Sequence, residues 1–535
     1  MVETQKQVAA TRDLLENFTP EAYETIFNRD DYIDNLKNTI EHQCYTRINT
    51  QRDLSKNEIN RIRAIHIIAV NLERIADNCV SIIQQTGYLD EVSFLEPYDY
   101  QSIINVILEA LEQITPALKR SDLGGALAIC KAEYESDRLY EVEFARLIKE
   151  LRVGEHVQYL ITVLFIFRYL ERMGDSLLNI GEALLFAIMG ERIKIHQFES
   201  LQQTLNQSGF EGPMTDIDFQ SIMGTRSGCR IGRVERPPSK DTDTREGIFK
   251  EGNLHKIRAE KENLENWDRI MPGLAPKVLS YNEHNDKASI LVQFISGKTF
   301  DEIILTESDT VLKESLEILM RTMYEVWEIT RQQGRFETDF VSQIMDRMDQ
   351  ICEVHPEYCG FEKEIGGVHV RSSMEMLENC KAIESEVNSP NTVMVHGDFN
   401  CTNLIYDAAN QCVHYVDVYR STQKDFVQDV SVFLISNFRM PVFDEPIRPR
   451  LNQTIQTVLS FAEKVAHEWG DTTFQARMAF AIARSLYTST RLEFNQKFSK
   501  EMYLRAHYLM EKIVRHSQSG AAWDTFTLPT SVLFY

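Results

Sequence analysis

The sequence predicts a multidomain chain of 535 residues, with an all-α first part built as a pair of three-helix bundles and an α+β second part. Three observations predict it. Residues 1 to about 195 hold very few helix breakers and keep apolar residues at helical spacing throughout. Inside them one segment recurs, as Asn71-Leu-Glu-Arg-Ile-Ala-Asp77 and Tyr169-Leu-Glu-Arg-Met-Gly-Asp175, with Glu171 standing 98 residues after Glu73. Far downstream, Val393–Tyr419 leaves the helical texture for an apolar run, a loop and a hairpin with an acid at each end.

The repeat comes first in the chain. An internal offset of this size implies two copies of roughly three helices each. Each copy sets a Glu and an Asp four residues apart (Glu73/Asp77, Glu171/Asp175), so both carboxylates share one helix face. Acids at the same spacing precede each, as Asp30/Asp34 and Asp137/Glu141. Two helices offering two carboxylates each to one groove can build an oxygen-rich metal site. Like charges at this spacing repel, and Arg74 and Arg172 are the neighbours expected to compensate them. The duplicated E-R-x-[AG]-D on long helices resembles the PhoU family of phosphate-transport regulators, over about residues 10–195. That resemblance implies a pair of three-helix bundles, a transporter or signalling protein as partner, and iron, manganese or zinc held by Glu73, Asp77, Glu171 and Asp175. Asn78 and Ser176, after the motif aspartates, depart from the pattern, as do Asp34 and Glu141.

Composition bounds the rest. Hydrophobic content of 43% and charged content of 26% are ordinary for a globular protein. A net charge of −23, from 80 acidic against 57 basic residues, argues against nucleic acid or an anionic membrane surface as a partner. Nine cysteines, an odd number with no C-x-x-C pair, predict reduced thiols and no disulfide framework. The first residues are polar and amphipathic, without a secretory signal, so a cytoplasmic location is expected. The most apolar run, Val157–Leu170, is shorter than the ~20 residues a membrane span needs and reads as a buried helix.

After the repeat, residues 196–216 carry Asn, Ser, Gly and Pro and read as a linker. Short strands are expected at Asp218–Met223 and Arg230–Glu235, around Gly224-Thr-Arg-Ser-Gly228, and again at Gly247–Gly252. An acidic helix with Leu264 and Trp267 on its apolar face follows, then an apolar strand from Ala288 that runs into Gly297. From Thr299 to Pro390 the chain reads as mostly helical, with a long amphipathic segment over Val311–Gln333.

The hairpin stretch carries the chemistry. His396-Gly397-Asp398 ends an apolar strand, Asn403 stands five residues after the aspartate, and the returning strand delivers Asp417. Phosphoryl transfer asks mainly for positioning and neutralised charge. Asp398 suits the carboxylate that orients the attacking hydroxyl, and Asn403 and Asp417 offer the oxygen ligands Mg²⁺ prefers. This pattern, H-G-D-x-x-x-x-N with a later strand-end aspartate, resembles the aminoglycoside phosphotransferase and choline kinase-like families, and all its fixed positions are met. The resemblance implies a two-lobed protein kinase-like fold, with a small lobe over 217–297, a large lobe over 298–535, and His396 and Asp398 in the catalytic set. It further implies Lys250 on the nucleotide phosphates and Glu260 positioning it, with Glu262 as competitor. Gly224 and Gly228 would cover the phosphates, Gln293 and Ile295 would lie beside the base, and Asp429, or Asp425, would brace the loop. Acidic and aromatic residues of the C-terminal helices would receive the acceptor.

The reading is therefore a Mg²⁺- and ATP-dependent phosphotransferase, GTP being the other nucleotide it could take, acting on a hydroxyl of a small molecule. A rival reading is a regulator whose kinase-like part only senses nucleotide while its helical part docks on a partner. The complete set Lys250, Asp398, Asn403 and Asp417 favours the enzyme. Metal storage by the helical half is a third reading and rests on carboxylates alone.

Overall fold

The computed structural model describes every residue except 52, 191–192, 210–213, 215–216, 223–229, 236–245, 361–362 and 366–367. The chain forms two compact units, Met1–Gly252 and Asn253–Tyr535. The division falls inside the stretch 217–297 that the sequence suggested as one lobe.

In the first unit six helices form the repeat: α1 (Val2–Glu16), α2 (Pro20–Thr50), α3 (Lys56–Thr86), α4 (Tyr100–Arg120), α5 (Leu123–Leu151) and α6 (Val157–Met189). Their ends follow local chemistry. Thr19 caps α2 with Pro20 at its first position, and a Ser55/Glu58 capping box opens α3. Gly190, at φ +80°, closes α6. The apolar run Val157–Leu170 does lie in α6, burying Leu160, Val163, Ile166, Phe167 and Leu170. Helix α6 packs against α5 so closely that a Cβ on Gly181 would sit 2.3 Å from Cys130 Sγ. A further helix, α7 (Ile195–Gln207), occupies much of the stretch expected as linker. It forms because Ile195, Phe198, Leu201 and Leu205 repeat at helical spacing and are buried. Strands β1 (Asp218–Ile222), β2 (Arg230–Glu235) and β3 (Glu246–Asn253) then run antiparallel in that order.

The second unit opens with α8 (Leu254–Ile270), then β4 (Val278–His284) and β5 (Lys287–Gln293) as an antiparallel hairpin. After β6 (Lys298–Thr299) come α9 (Phe300–Thr306), α10 (Asp309–Thr330), β7 (Gln332–Phe336), α11 (Phe340–Met345) and α12 (Met348–Val354). A small hairpin, β8 (Lys363–Ile365) with β9 (Val368–Val370), precedes α13 (Ser373–Glu384) and β10 (Ser389–Val395). The hairpin stretch is β11 (Leu404–Asp407) and β12 (Cys412–Tyr415), followed by β13 (Thr422–Lys424). Helices α14 (Val427–Phe438), α15 (Ile447–Glu468), α16 (Phe474–Ser489) and α17 (Gln496–Gln518) complete the unit. Two three-stranded sheets, β13-β10-β7 and β12-β11-β6, hold the loop between β10 and β11 from either side.

The helical core of this unit contains a buried charge cluster that sequence patterning did not indicate. Arg477, fully buried, pairs with Asp471 at 2.5 Å and Asp425 at 3.0 Å. The C-terminal segment docks on the body: Leu528 and Leu533 are buried, Tyr535 stacks on Phe438 at 4.8 Å, and Arg505 donates to the Val532 and Phe534 carbonyls.

One expectation is overturned. Cys352 and Cys359 form a disulfide, with Cα atoms 5.8 Å apart, because the 3₁₀ turn Pro356–Cys359 folds the chain back on the end of α12. Among the described residues, no helix is long and apolar enough to cross a membrane.

Candidate active site

The loop after β10 is held by its own backbone. Buried Asp429, in the first turn of α14, accepts from the amide of His396 at 2.6 Å and that of Gly397 at 2.9 Å. Burial pushes its carboxyl up to about 7, against the pull of those two N–H groups. Asp429 is thus the acid beneath the loop, while Asp425 is occupied by Arg477. Gly397 has φ +82°, and a Cβ there would lie 2.4 Å from the carbonyl oxygen of Arg420. Only glycine accepts both the conformation and the contact.

His396 is fully buried, and both ring nitrogens are engaged. Nδ1 accepts from the Asp398 amide at 3.3 Å, so Nε2 carries the proton that it donates to the Val416 carbonyl at 2.9 Å. Burial lowers its pKa, which keeps the ring neutral. The ring also packs edge-on against Phe399 and Tyr415. These contacts make His396 a strut between loop and hairpin, out of reach of any substrate, which departs from the catalytic part the resemblance implied.

Asp398 is partly exposed, its side chain at 22%. One carboxylate oxygen accepts from the Asn400 side-chain amide, and the other lies 3.4 Å from Arg420 Nη1. Asn403 donates through Nδ2 to the Asp398 carbonyl at 2.9 Å, which commits its nitrogen and leaves its oxygen for a cation. The Asn403 carbonyl accepts from Val416 at 3.0 Å, bringing Asp417 next to it in the chain direction. Asp417 takes a left-handed conformation, φ 62°, which turns the strand into the 3₁₀ turn Val418–Arg420. An amide oxygen and a carboxylate so placed suit the hard ligand preference of Mg²⁺.

Helix α8 is tied to this loop. Its buried stripe is Ile257, Glu260, Leu264 and Trp267, with Glu260 1% exposed and Glu262 on the solvent side. Trp267 donates to Ser421 Oγ at 2.9 Å, and Ser421 donates to the His396 carbonyl at 3.1 Å. Asn263 donates to the Val418 carbonyl at 3.0 Å. Sequence reasoning missed Asn263, Asn400, Arg420 and Ser421, and placed Trp267 on the apolar face without its tie to the loop. For Asn400 and Arg420 the only available signal was their place beside a motif residue.

The remaining predicted residues are distributed as follows. Lys250 is buried in β3, in the first unit. Gly224 and Gly228 lie outside the described residues. Gln293 ends β5, its amide donating to the Lys277 carbonyl at 2.9 Å, and Ile295 follows two residues on, half-buried. Gly297, at φ +140°, lets the chain pass the hairpin so closely that a Cβ would meet the Tyr406 carbonyl oxygen at 2.5 Å.

In the first unit, Glu73 pairs with Lys37 at 2.8 Å, and Lys37 also holds Asp34 at 2.7 Å. Burial, then Asp77 and Glu73, push Asp30 up to about 6. In the second copy Arg168 pairs with Glu171 at 2.6 Å. Burial, then Asp137, Asp175 and Glu171, push Glu133 up to about 7. Compensation therefore comes from Lys37 and Arg168, because Arg74 and Arg172 face solvent. Glu133 was missed, although it continues the four-residue spacing back from Asp137. Oxygens of Asp30, Glu133, Asp137 and Glu171 are buried without a hydrogen-bond partner among the described residues. Such orphaned carboxylate oxygens fit a cation better than a solvated face. On the β11–β12 hairpin, Asp407, Cys412 and His414 also bring their ligand atoms within 4.8 Å of one another.

Comparison with known proteins divides along the chain. The PhoU domain profile matches residues 2–86 and 101–184. The PhoU homolog of Borreliella burgdorferi, a phosphate-specific transport system accessory protein, is 31% identical over 178 residues, 32% of this chain and 79% of that protein. Its counterpart from Clostridium acetobutylicum is 25% identical over 194 residues, 36% of this chain and 89% of that protein. Among solved structures, an ethanolamine kinase from Plasmodium vivax covers 62% of this chain and 93% of its own, at 10% identity and a TM-score of 0.36.

Proposed function

The chain belongs to the PhoU family through its helical part, and from that premise we propose that the rest of it is a phosphotransferase acting on a hydroxyl of a small molecule. The observation that carries this reading is the loop of Asp398. A partly exposed carboxylate sits on a backbone clamped by Asp429 and His396, with Asn403 bonded to its carbonyl and Asp417 next in the chain after Val416, which pairs with Asn403. Clamping supplies the positioning on which phosphoryl transfer depends.

In this reading Asp398 orients the acceptor hydroxyl and takes its proton, while Arg420 keeps that carboxylate turned to one side. His396 is a positioning residue. Asn403 and Asp417 would hold Mg²⁺, which when bound neutralises charge on the nucleotide phosphates. Lys250 and Glu260 are assigned to the nucleotide by resemblance, and their burial supports a function for each charge over a solvated surface. In the helical part, Glu73, Asp77, Glu171 and Asp175 are assigned to transition-metal binding, supported by the orphaned oxygens around them. A link to phosphate transport is carried over from the relatives.

The test is nucleotide turnover against a panel of hydroxyl compounds. Asp398→Asn should lose transfer by ~10²–10⁴-fold while binding nucleotide nearly as before, since a general base acts in the transition state. A fully active Asp398→Asn protein removes the proposal. Tight nucleotide binding without any Asp398-dependent turnover would favour the nucleotide-sensing regulator instead.

A further inference from the structure

Three arginines, Arg420, Arg484 and Arg491, act on Asp398, and Arg347 and Arg439 act in turn on Arg491, in a chain that carries 80 acidic and 57 basic residues. Arg420 ends the turn after Asp417 and reaches Asp398 at 3.4 Å. Arg439 caps α14 and donates to Ser489 Oγ at 3.2 Å, at the end of α16. Arg491 stands in the next turn, Thr490–Leu492, and donates to the Thr488 carbonyl. Arg347 is the N-cap of α12, and Arg484, 7% exposed, lies on α16 against the ring of Phe340.

Their charges act on one another. Burial first, then Arg347, Arg420 and Arg439, lower the Arg491 guanidinium to about 10, with Asp398 pulling the other way. Arg484 feels Asp339, Asp398 and Asp429 on one side and Arg347 on the other. Compensation is short. Among the described residues Arg347, Arg484 and Arg491 have no carboxylate within 4 Å, and the buried Nε of Arg484 has no acceptor. Asp339 is already held by Lys424 at 2.7 Å. Like charges gathered from four separate segments cost free energy unless an anion completes them.

Resting on the phosphotransferase reading, we propose that the acceptor is an anionic small molecule whose phosphate or carboxylate group is gripped by Arg347, Arg439, Arg484 and Arg491 while its hydroxyl faces Asp398. Planar guanidinium forks match either anion with paired hydrogen bonds. The acidic and aromatic receiving surface that the resemblance implied is thus replaced by one of opposite charge, which repels amino alcohols and aminoglycosides. In the transfer, the acceptor oxygen forms a bond to the γ-phosphorus of a nucleoside triphosphate as the bridging P–O bond breaks. The bonding pair leaves with the nucleoside diphosphate, and the hydroxyl proton passes to Asp398 and then to solvent.

The full-length chain with Mg²⁺ and ATP is assayed against ribose 5-phosphate, glycerate, unphosphorylated ribose, choline and kanamycin, with calorimetric titration of the same compounds. Asp398-dependent transfer to ribose 5-phosphate or glycerate is expected, and which of the two is used identifies the anion. Arg347→Gln and Arg491→Gln should each raise KM roughly ten-fold or more with kcat nearly unchanged, and Arg491→Lys should recover part of it. A melting curve close to wild type shows that each variant folds. Asp398-dependent transfer that prefers choline, kanamycin or plain ribose overturns the anionic acceptor and leaves the phosphotransferase standing. Arginine-dependent binding of ribose 5-phosphate without transfer to any compound upholds the anion site and removes the enzyme. Absence of both binding and transfer for the two anions overturns the proposal.

Discussion

Asn403 donates to the backbone carbonyl of Asp398, and that one bond orients the Asn403 side chain. With its Nδ2 committed at 2.9 Å, the amide oxygen is the free end. Asp417→Ala and Asn403→Ala are therefore expected to weaken Mg²⁺-dependent nucleotide binding, on the order of 10- to 100-fold or more. Titrating nucleotide with and without Mg²⁺ checks this, and an unchanged metal dependence would remove the ligand assignment. Gly397 makes a second expectation at this scale. Alanine there meets the Arg420 carbonyl oxygen at 2.4 Å in a left-handed conformation. Gly397→Ala should cost about 1–3 kcal/mol in stability and displace the Asp398 loop, lowering turnover as well as the denaturation midpoint. An alanine variant as active and stable as wild type would mean that the loop is not held this tightly.

At the scale of elements, the helices of the first unit store like charge and the hairpin stores position. The second acid face turns Glu133, Asp137, Glu171 and Asp175 toward one another, and Glu133 rises to about 7. The corresponding carboxyl in an unfolded chain titrates near about 4.3. Between those values the folded state binds more protons than the unfolded one, so stability must fall as pH rises through that window. Melting of metal-free protein is expected to decline from pH 5 to pH 8, and Glu133→Gln should flatten the decline. An identical slope in the variant would show that Glu133 does not titrate there. The helix α8 works differently: Trp267, through Ser421, fastens the loop to a rigid apolar stripe.

For the whole molecule, two sets of acids far apart in the chain, Glu73 to Asp175 and Asp398 to Asp417, imply two ligand responses that can be removed one at a time. A ligand that binds only the folded state adds RT ln(1 + [L]/Kd), about 2.7 kcal/mol at a hundred-fold excess. Added manganese, iron or zinc should raise the melting of the first unit, and Glu73→Gln with Glu171→Gln should remove that rise. Mg²⁺ with nucleotide should raise the melting of the full chain by a separate increment, and Asp417→Ala should remove that increment alone. Calorimetric melts of the full chain would resolve the two. Loss of both responses in either variant would contradict their separation.

Much of this protein is written locally. The bundle repeat, the motif acids and the β11–β12 hairpin are legible because spacing along a helix or strand decides which side chains share a face. The acid faces could be read from four-residue spacing, and Glu260 could be placed on the apolar stripe of its helix with Leu264 and Trp267. Contacts between distant segments were not legible. Nothing in the spacing says that Lys37 and Arg168, not Arg74 and Arg172, neutralise the acids. The burial of His396 depends on how Asp429, Val416 and Tyr415 enclose it, and that enclosure turns a motif histidine into a strut. The Cys352–Cys359 bridge depends on a turn, and the arginines around Asp398 come from four segments far apart in sequence. The sequence by itself determined which chemical groups are present and which neighbours along the chain share a face. Packing between segments decided which charges meet and which remain uncompensated, because electrostatic interaction depends on distance and burial in three dimensions.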